Sequence, residues 1–250
     1  MELKNNSRIG CICLMSLWLL AACDSDNDNN VNTSNTDTGT TNPPVTTPPP
    51  AAKEYVYDIN VINLTNSQPL SPIGVILHAS EKAWMIGEKA STGLEKMAEG
   101  GDLSDLLASS WVVDSATGSG ILMPGAAETI RVTTHDMAAS MLSVATMLVN
   151  TNDAFSGVTG LNLADLAVGE KMLLKLPVYD AGTEANSESM GTIPGPADGG
   201  EGFNQARDDV DFVSYHPGLV TRDDGLSTST LTSMHRFDNP VMQISVMRIE

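Results

Sequence analysis

The 250-residue chain sets 31 Asp and Glu against 13 Lys and Arg, a formal charge of −18, which excludes a nucleic-acid partner held through its phosphates. Hydrophobic residues at 41% supply apolar mass for one sizeable core and exclude global disorder. Aromatics are only 4% of the chain and Met reaches 13, so aliphatic side chains and pliable thioethers must fill that core.

Lys4 and Arg8 precede an apolar run from Ile9 to Leu20. At about 12 residues it falls short of the roughly 20 that a spanning helix needs, and it reads as a signal peptide over 1–22. The run ends in Leu20-Ala21-Ala22-Cys23, which resembles the bacterial lipobox, whose cysteine receives a diacylglycerol. Cys23 is therefore the expected lipidation site, and the expected location is the bacterial cell envelope, with either leaflet open. Removing residues 1–22 leaves 11 basic and 30 acidic side chains. Acyl chains rather than a basic patch must then hold the membrane, at about 0.8 kcal/mol per buried methylene. Cys11, Cys13 and Cys23 are the only cysteines, so the remainder of the chain offers no disulfide, thiolate ligand or nucleophilic thiol.

Residues 23–52 are almost wholly Asp, Asn, Ser, Thr, Pro, Gly and Ala. Such a composition cannot offset the entropy of ordering, and it reads as a disordered tether whose Pro-rich second half is biased toward extended polyproline geometry. Asp24, Asp26 and Asp28 imitate the start of an EF-hand loop, but Asn29 and Asn35 stand where that loop requires Gly and Glu.

Residues 53–250 read as one globular domain. Tyr55, Tyr57, Ile59 and Val61 alternate with Asp58 and Asn60, the period of a half-buried strand. Similar strands are expected at Ile73–His78, Trp111–Asp114, Glu128–Thr133, Met141–Val149, Lys171–Val178 and Val241–Ile249. Short helical turns are expected at Ser91–Glu99 and after Asp102, plugging one end of the fold. Strands without long intervening helices indicate an all-β, antiparallel sandwich. The stretch from Asp180 to Asn204, with six Gly and two Pro, is a long loop of the kind that carries function.

Two strands run into acidic loops, one through Thr151-Asn152-Asp153-Ala154-Phe155 and the other through Tyr179-Asp180-Ala181-Gly182-Thr183-Glu184. Loops at one end of a sandwich bring carboxylates together, and hard cations such as Ca²⁺ require several oxygen ligands. On spacing alone the same aspartates are equally turn residues that accept local N–H groups. Asp208, Asp209 and Asp211, with Asp223 and Asp224, form further acidic runs that offer a second ion site, though charge runs are most often solvated faces.

These two loops, with Ile193-Pro194-Gly195-Pro196 and Gly200-Glu201-Gly202-Phe203, resemble the spondin domain. Leu64-Thr65 with Ser71-Pro72, the stretch from Gly93-Leu94-Glu95 to Gly101-Asp102, and Asn239-Pro240-Val241 extend the resemblance from Tyr55 to Ile249. It implies a C2-like sandwich with one or two short helices and one bound Ca²⁺, and its animal members are extracellular-matrix adhesion proteins. By motif position Asp153, Asp180 and Glu184 fall on the family's metal-binding carboxylates. Glu184 departs from the animal motif, which has Asp there, and the folded part lacks the cysteines of the animal proteins.

No His-Glu-x-x-His, nucleophile elbow or phosphate-binding loop accompanies these features, so no enzyme is expected. His135 and His216 read as exposed turn residues. The reading is a calcium-binding recognition or adhesion module, anchored by lipid at Cys23 and facing a surface, matrix or glycan ligand. A hydrolase built on paired carboxylates and a purely structural envelope lipoprotein are the rivals.

Overall fold

The computed structural model describes residues 52–250. The signal peptide, Cys23, the aspartates at 24, 26 and 28 and the rest of the tether through residue 51 lie outside the described residues. The fold is all-β, with ten strands in two antiparallel sheets. In chain order these are β1 (Tyr55–Asn63), β2 (Gly74–His78), β3 (Val112–Thr117), β4 (Ala127–Thr134), β5 (Met141–Met147), β6 (Ala154–Asn162), β7 (Lys171–Leu176), β8 (Val178–Asp180), β9 (Ser214–Tyr215) and β10 (Met242–Arg248). One sheet has the order β4-β1-β10-β7 and the other β3-β2-β5-β6-β8-β9.

The period-two pattern of β1 is realised, with Tyr57, Ile59 and Val61 facing a core shared with Ile130, Val132, Ile244 and Val246 of the same sheet. Val75, Leu77, Leu142, Val144 and Val178 close that core from the other sheet. In β2 every residue is buried, because Ile76 points to the opposite face and joins a second core with Leu94, Met97, Ala98, Leu103 and Leu106. Helix α1 (Thr92–Gly100), the single turn α2 (Ser104–Leu107) and Leu103 at the N-cap of α2 supply those residues. The helices therefore cover the outer face of the six-stranded sheet instead of plugging an end of the sandwich. The continuous apolar run in β2 is the signal of a strand covered on both sides. Ser91 caps α1, its side chain accepting from Leu94 N at 3.2 Å.

Two other expectations change. The single strand expected over Lys171–Val178 divides at Pro177, which has no N–H to continue a ladder. Residues before it pair with β10, and residues after it cross to pair with β6. The segment after Asp153 is not a loop but the central strand β6. Gly157 hides this strand from a pattern search, yet its site demands glycine: a Cβ there would lie 2.0 Å from the Val144 carbonyl oxygen and 2.8 Å from the Trp84 ring.

The strand directions separate two ends of the sandwich. Lys53 and Tyr55 lie by Ser140, where β5 starts, whereas β5 finishes at Met147 and leads into Asp153. Seven residues at about 3.4 Å each put roughly 20 Å between these ends.

Candidate metal centre

Asp153 and Asp180 are brought together by the pairing of β6 with β8, in which Ala154 stands opposite Asp180. Asp153 is fully buried and Asp180 nearly so. Oδ2 of Asp153 accepts from Thr183 N at 2.8 Å, Glu184 N at 3.1 Å and Thr183 Oγ1 at 3.3 Å. Its Oδ1 is buried with no partner among the described residues. Asp180 shapes its own loop, Oδ1 accepting from Gly182 N at 2.7 Å in an Asx-type turn. Gly182 has φ +70°, and a Cβ there would meet the Phe212 carbonyl oxygen at 2.3 Å, so only glycine serves. Oδ2 of Asp180 accepts from Asn186 Nδ2 at 2.6 Å.

Glu184 sends its backbone N–H to Asp153, but its carboxylate turns toward Asn152, whose Nδ2 donates to Oε1 at 2.9 Å. Oε2 of Glu184 is buried without a partner among the described residues. The charges that act on it belong to Glu99, Asp208 and Glu201. The structure thus joins two of the three sequence-derived carboxylates and leaves the third facing another side of its loop. Among the described residues no three Asp, Glu, His or Cys side chains surround a common point.

The electrostatics of this end are unusual. Burial first, and then the Asp180 charge, push the Asp153 carboxyl up to about 8, against the opposing hydrogen bonds from Thr183 and Glu184. Burial likewise raises Asp180, while Asn186 and Gly182 hold it down. Burial also lifts Glu184 to about 7. None of the ion pairs among the described residues reaches any of these three. Neighbouring buried carboxylates without a cation must share protons or acquire a counter-ion. The unpartnered Oδ1 of Asp153 and Oε2 of Glu184 are hard oxygen atoms of the type a divalent cation takes, but among the described residues they do not converge on a common point with Asp180.

Several residues here had no sequence signal. Asn152 is a hub, giving Nδ2 to Glu184 and to Thr192 Oγ1 at 3.0 Å and accepting from Glu188 N at 3.2 Å. Glu188 is buried in a left-handed conformation, φ +47°, and burial raises its carboxyl to about 7. His216 is buried, contrary to the expectation of an exposed turn. Its Nδ1 accepts from Gly218 N at 3.0 Å, which leaves the proton on Nε2 to bond Asn186 Oδ1 at 3.0 Å. Burial depresses this imidazole to about 4, so it stays neutral and fixes the Asn186 amide with Nδ2 toward Asp180. His135 is exposed. Most of the other acidic runs are structurally engaged: Asp208 accepts from Ala185 N, Asp211 pairs with Lys89 and Arg207, Asp223 accepts from Ser233 N, and Asp224 pairs with Arg236; Asp209 instead has its carboxyl raised by burial and then by the Asp180 charge.

The model of the spondin N-terminal family, Spondin_N, matches residues 65–193, about half of the chain. The chain belongs to the spondin family. The match takes in both acidic loops and all three candidate carboxylates, and it stops short of β1 and β10, which the motif resemblance also reached. A search of curated proteins finds no match. In this spondin domain the acidic loops and the long segment after β8 form one connected polar layer. Asn152 and Asn186 are its cross-links.

Proposed function

We propose that this spondin domain is a calcium-dependent recognition or adhesion module of the bacterial envelope, anchored through lipid at Cys23. The observation that carries the reading is the buried Asp153–Asp180 pair, uncompensated by any Lys or Arg and with one carboxylate oxygen left without a partner among the described residues. Asp153 and Asp180 hold the ion, and Glu184 joins by exchanging its Asn152 hydrogen bond for the cation. The bound charge replaces a shared proton and fixes the 180–188 loop to β6, giving a rigid surface for a matrix, surface or glycan ligand. Lys53 and Tyr55, the start of the described domain, lie at the end of the sandwich remote from Asp153.

Thermal unfolding in EDTA and in millimolar Ca²⁺ tests this reading. Binding to the native state raises stability by about 2.7 kcal/mol when calcium stands at 100 times its Kd. The expected result is a calcium-dependent rise in Tm that disappears in Asp180→Asn. An unchanged Tm would reject the metal and favour a purely structural envelope domain.

A further inference from the structure

The opposite end of the sandwich carries a second polar feature that the calcium reading does not use. Along β10 the inward-facing residues are Met242, Ile244 and Val246, and the next position on that face is Arg248, opposite Tyr57 in register. A guanidinium thus stands where the alternation would place another core side chain. It borders a cavity of about 260 Å³ between the two sheets, lined also by Lys53, Tyr55, Thr134, Asp136 and Ser140.

The cations at this cavity lack side-chain counter-charges. Neither Lys53 nor Arg248 joins an ion pair with an Asp or Glu side chain among the described residues. Arg248 uses Nε on a main-chain oxygen of Glu250 at 3.1 Å and Nη1 on the Leu166 carbonyl at 3.1 Å. Its Nη2 makes no hydrogen bond among the described residues. Both cations instead lie against the Tyr55 ring, Lys53 Nζ at 5.0 Å and the Arg248 guanidinium carbon at 5.1 Å from its centroid. Tyr55 is 8% exposed, and its hydroxyl is buried without a partner among the described residues. Against two cations the cavity offers one carboxylate, Asp136, which accepts from Ala138 N at 2.8 Å.

We propose that this cavity is a binding site for a phosphate or sulfate group. Arg248 Nη2 from β10, with Lys53 Nζ from just before β1 and the Tyr55 hydroxyl from its first residue, supply three donors and two positive charges at the cavity, the chemistry an oxyanion takes. The overall charge of −18 does not oppose this. Asp153, Asp180 and Glu184 lie at the other end of the sandwich, and charges beyond about 10 Å are screened at ordinary ionic strength. The phosphate group is either free in solution or the ester of a glycerol headgroup, which share the same oxyanion chemistry.

Calorimetric titration of the full chain with inorganic phosphate and with glycerol 3-phosphate, each against chloride at matched ionic strength, tests the site. Saturable phosphate uptake is expected, weakened at least tenfold in Arg248→Gln. Lys53→Gln, at an exposed position, is expected to weaken it severalfold, and it keeps the test decisive if Arg248→Gln fails to fold. Tyr55→Phe removes an unpartnered hydroxyl, so it should weaken uptake while leaving the phosphate-free Tm equal or higher. Tighter uptake of the ester identifies a headgroup as the source, and equal or weaker uptake identifies free anion. Absence of uptake by the unaltered chain, or uptake unchanged in all three variants, overturns the proposal.

Discussion

Replacing Asp153 by Asn should reverse the stability order of variant and parent depending on calcium. The carboxyl of Asp153 rises from an ordinary 3.8 to about 8, and each unit is about 1.4 kcal/mol. The ceiling on what this buried acid costs the calcium-free fold near pH 8 is therefore roughly 5 kcal/mol. The Asn oxygen keeps the bonds from Thr183 and Glu184, while its NH₂ replaces the unpartnered Oδ1. Leaving that new donor imperfectly satisfied costs about 1–3 kcal/mol, so the net gain in EDTA is about 2 kcal/mol. For a domain of this size that is a Tm increase of about 4–8 °C. The sign with pH follows from linkage. A raised folded pKa means that the folded chain binds more protons than the unfolded chain between pH about 4 and about 8, so calcium-free stability falls as pH rises through that window. The advantage of Asp153→Asn should be absent near pH 4 and largest near pH 8. In millimolar Ca²⁺ the parent gains binding energy that the variant lacks, and the order reverses. Differential scanning calorimetry at pH 5 and 8, with EDTA and with Ca²⁺, reads all four conditions. A variant less stable than the parent in EDTA at pH 8, or one that keeps the full calcium response, would refute the reasoning.

Arg207→Ala should cost about 3 kcal/mol in urea unfolding, because it strands Glu95, whose side chain is 5% exposed and bonded at 2.6 and 2.9 Å; a loss below 1 kcal/mol would contradict a latch between α1 and the long loop. Gly157→Ala should destabilise by about 2–3 kcal/mol in the same assay, since its Cβ meets the fixed Val144 backbone, and a neutral result would contradict the β5–β6 register. Cys23→Ser should abolish partitioning into the detergent phase, and a variant that still partitions would remove the lipid anchor.

The β character of the chain was legible wherever one strand face meets solvent, as in β1 and β10, where alternation survives. It failed where that contrast is lost. β6 contains Gly157 and Gly160 and is covered on both sides near its start, and β8 is only three residues long. The helices were found, but not their placement, because only the fully buried β2 reveals that the six-stranded sheet needs an outer layer. At the site, the loops carrying Asp153 and Asp180 were recognisable from their motifs. The direction of the Glu184 carboxylate was not, because it depends on Asn152, a residue whose cross-link spans 32 positions. His216 gave no sign of burial, since its partners Asn186 and Gly218 meet it only after the long loop folds back. Arg248 was visible as part of the last strand, but only the register with Tyr57 shows that it faces inward.

The central claim is that the buried Asp153–Asp180 pair holds a calcium ion. Calorimetric titration of chelator-stripped protein with CaCl₂ tests it most directly. The account predicts saturable uptake of one ion per chain, lost in Asp153→Asn. No uptake at millimolar calcium, or uptake that survives that substitution, would contradict it.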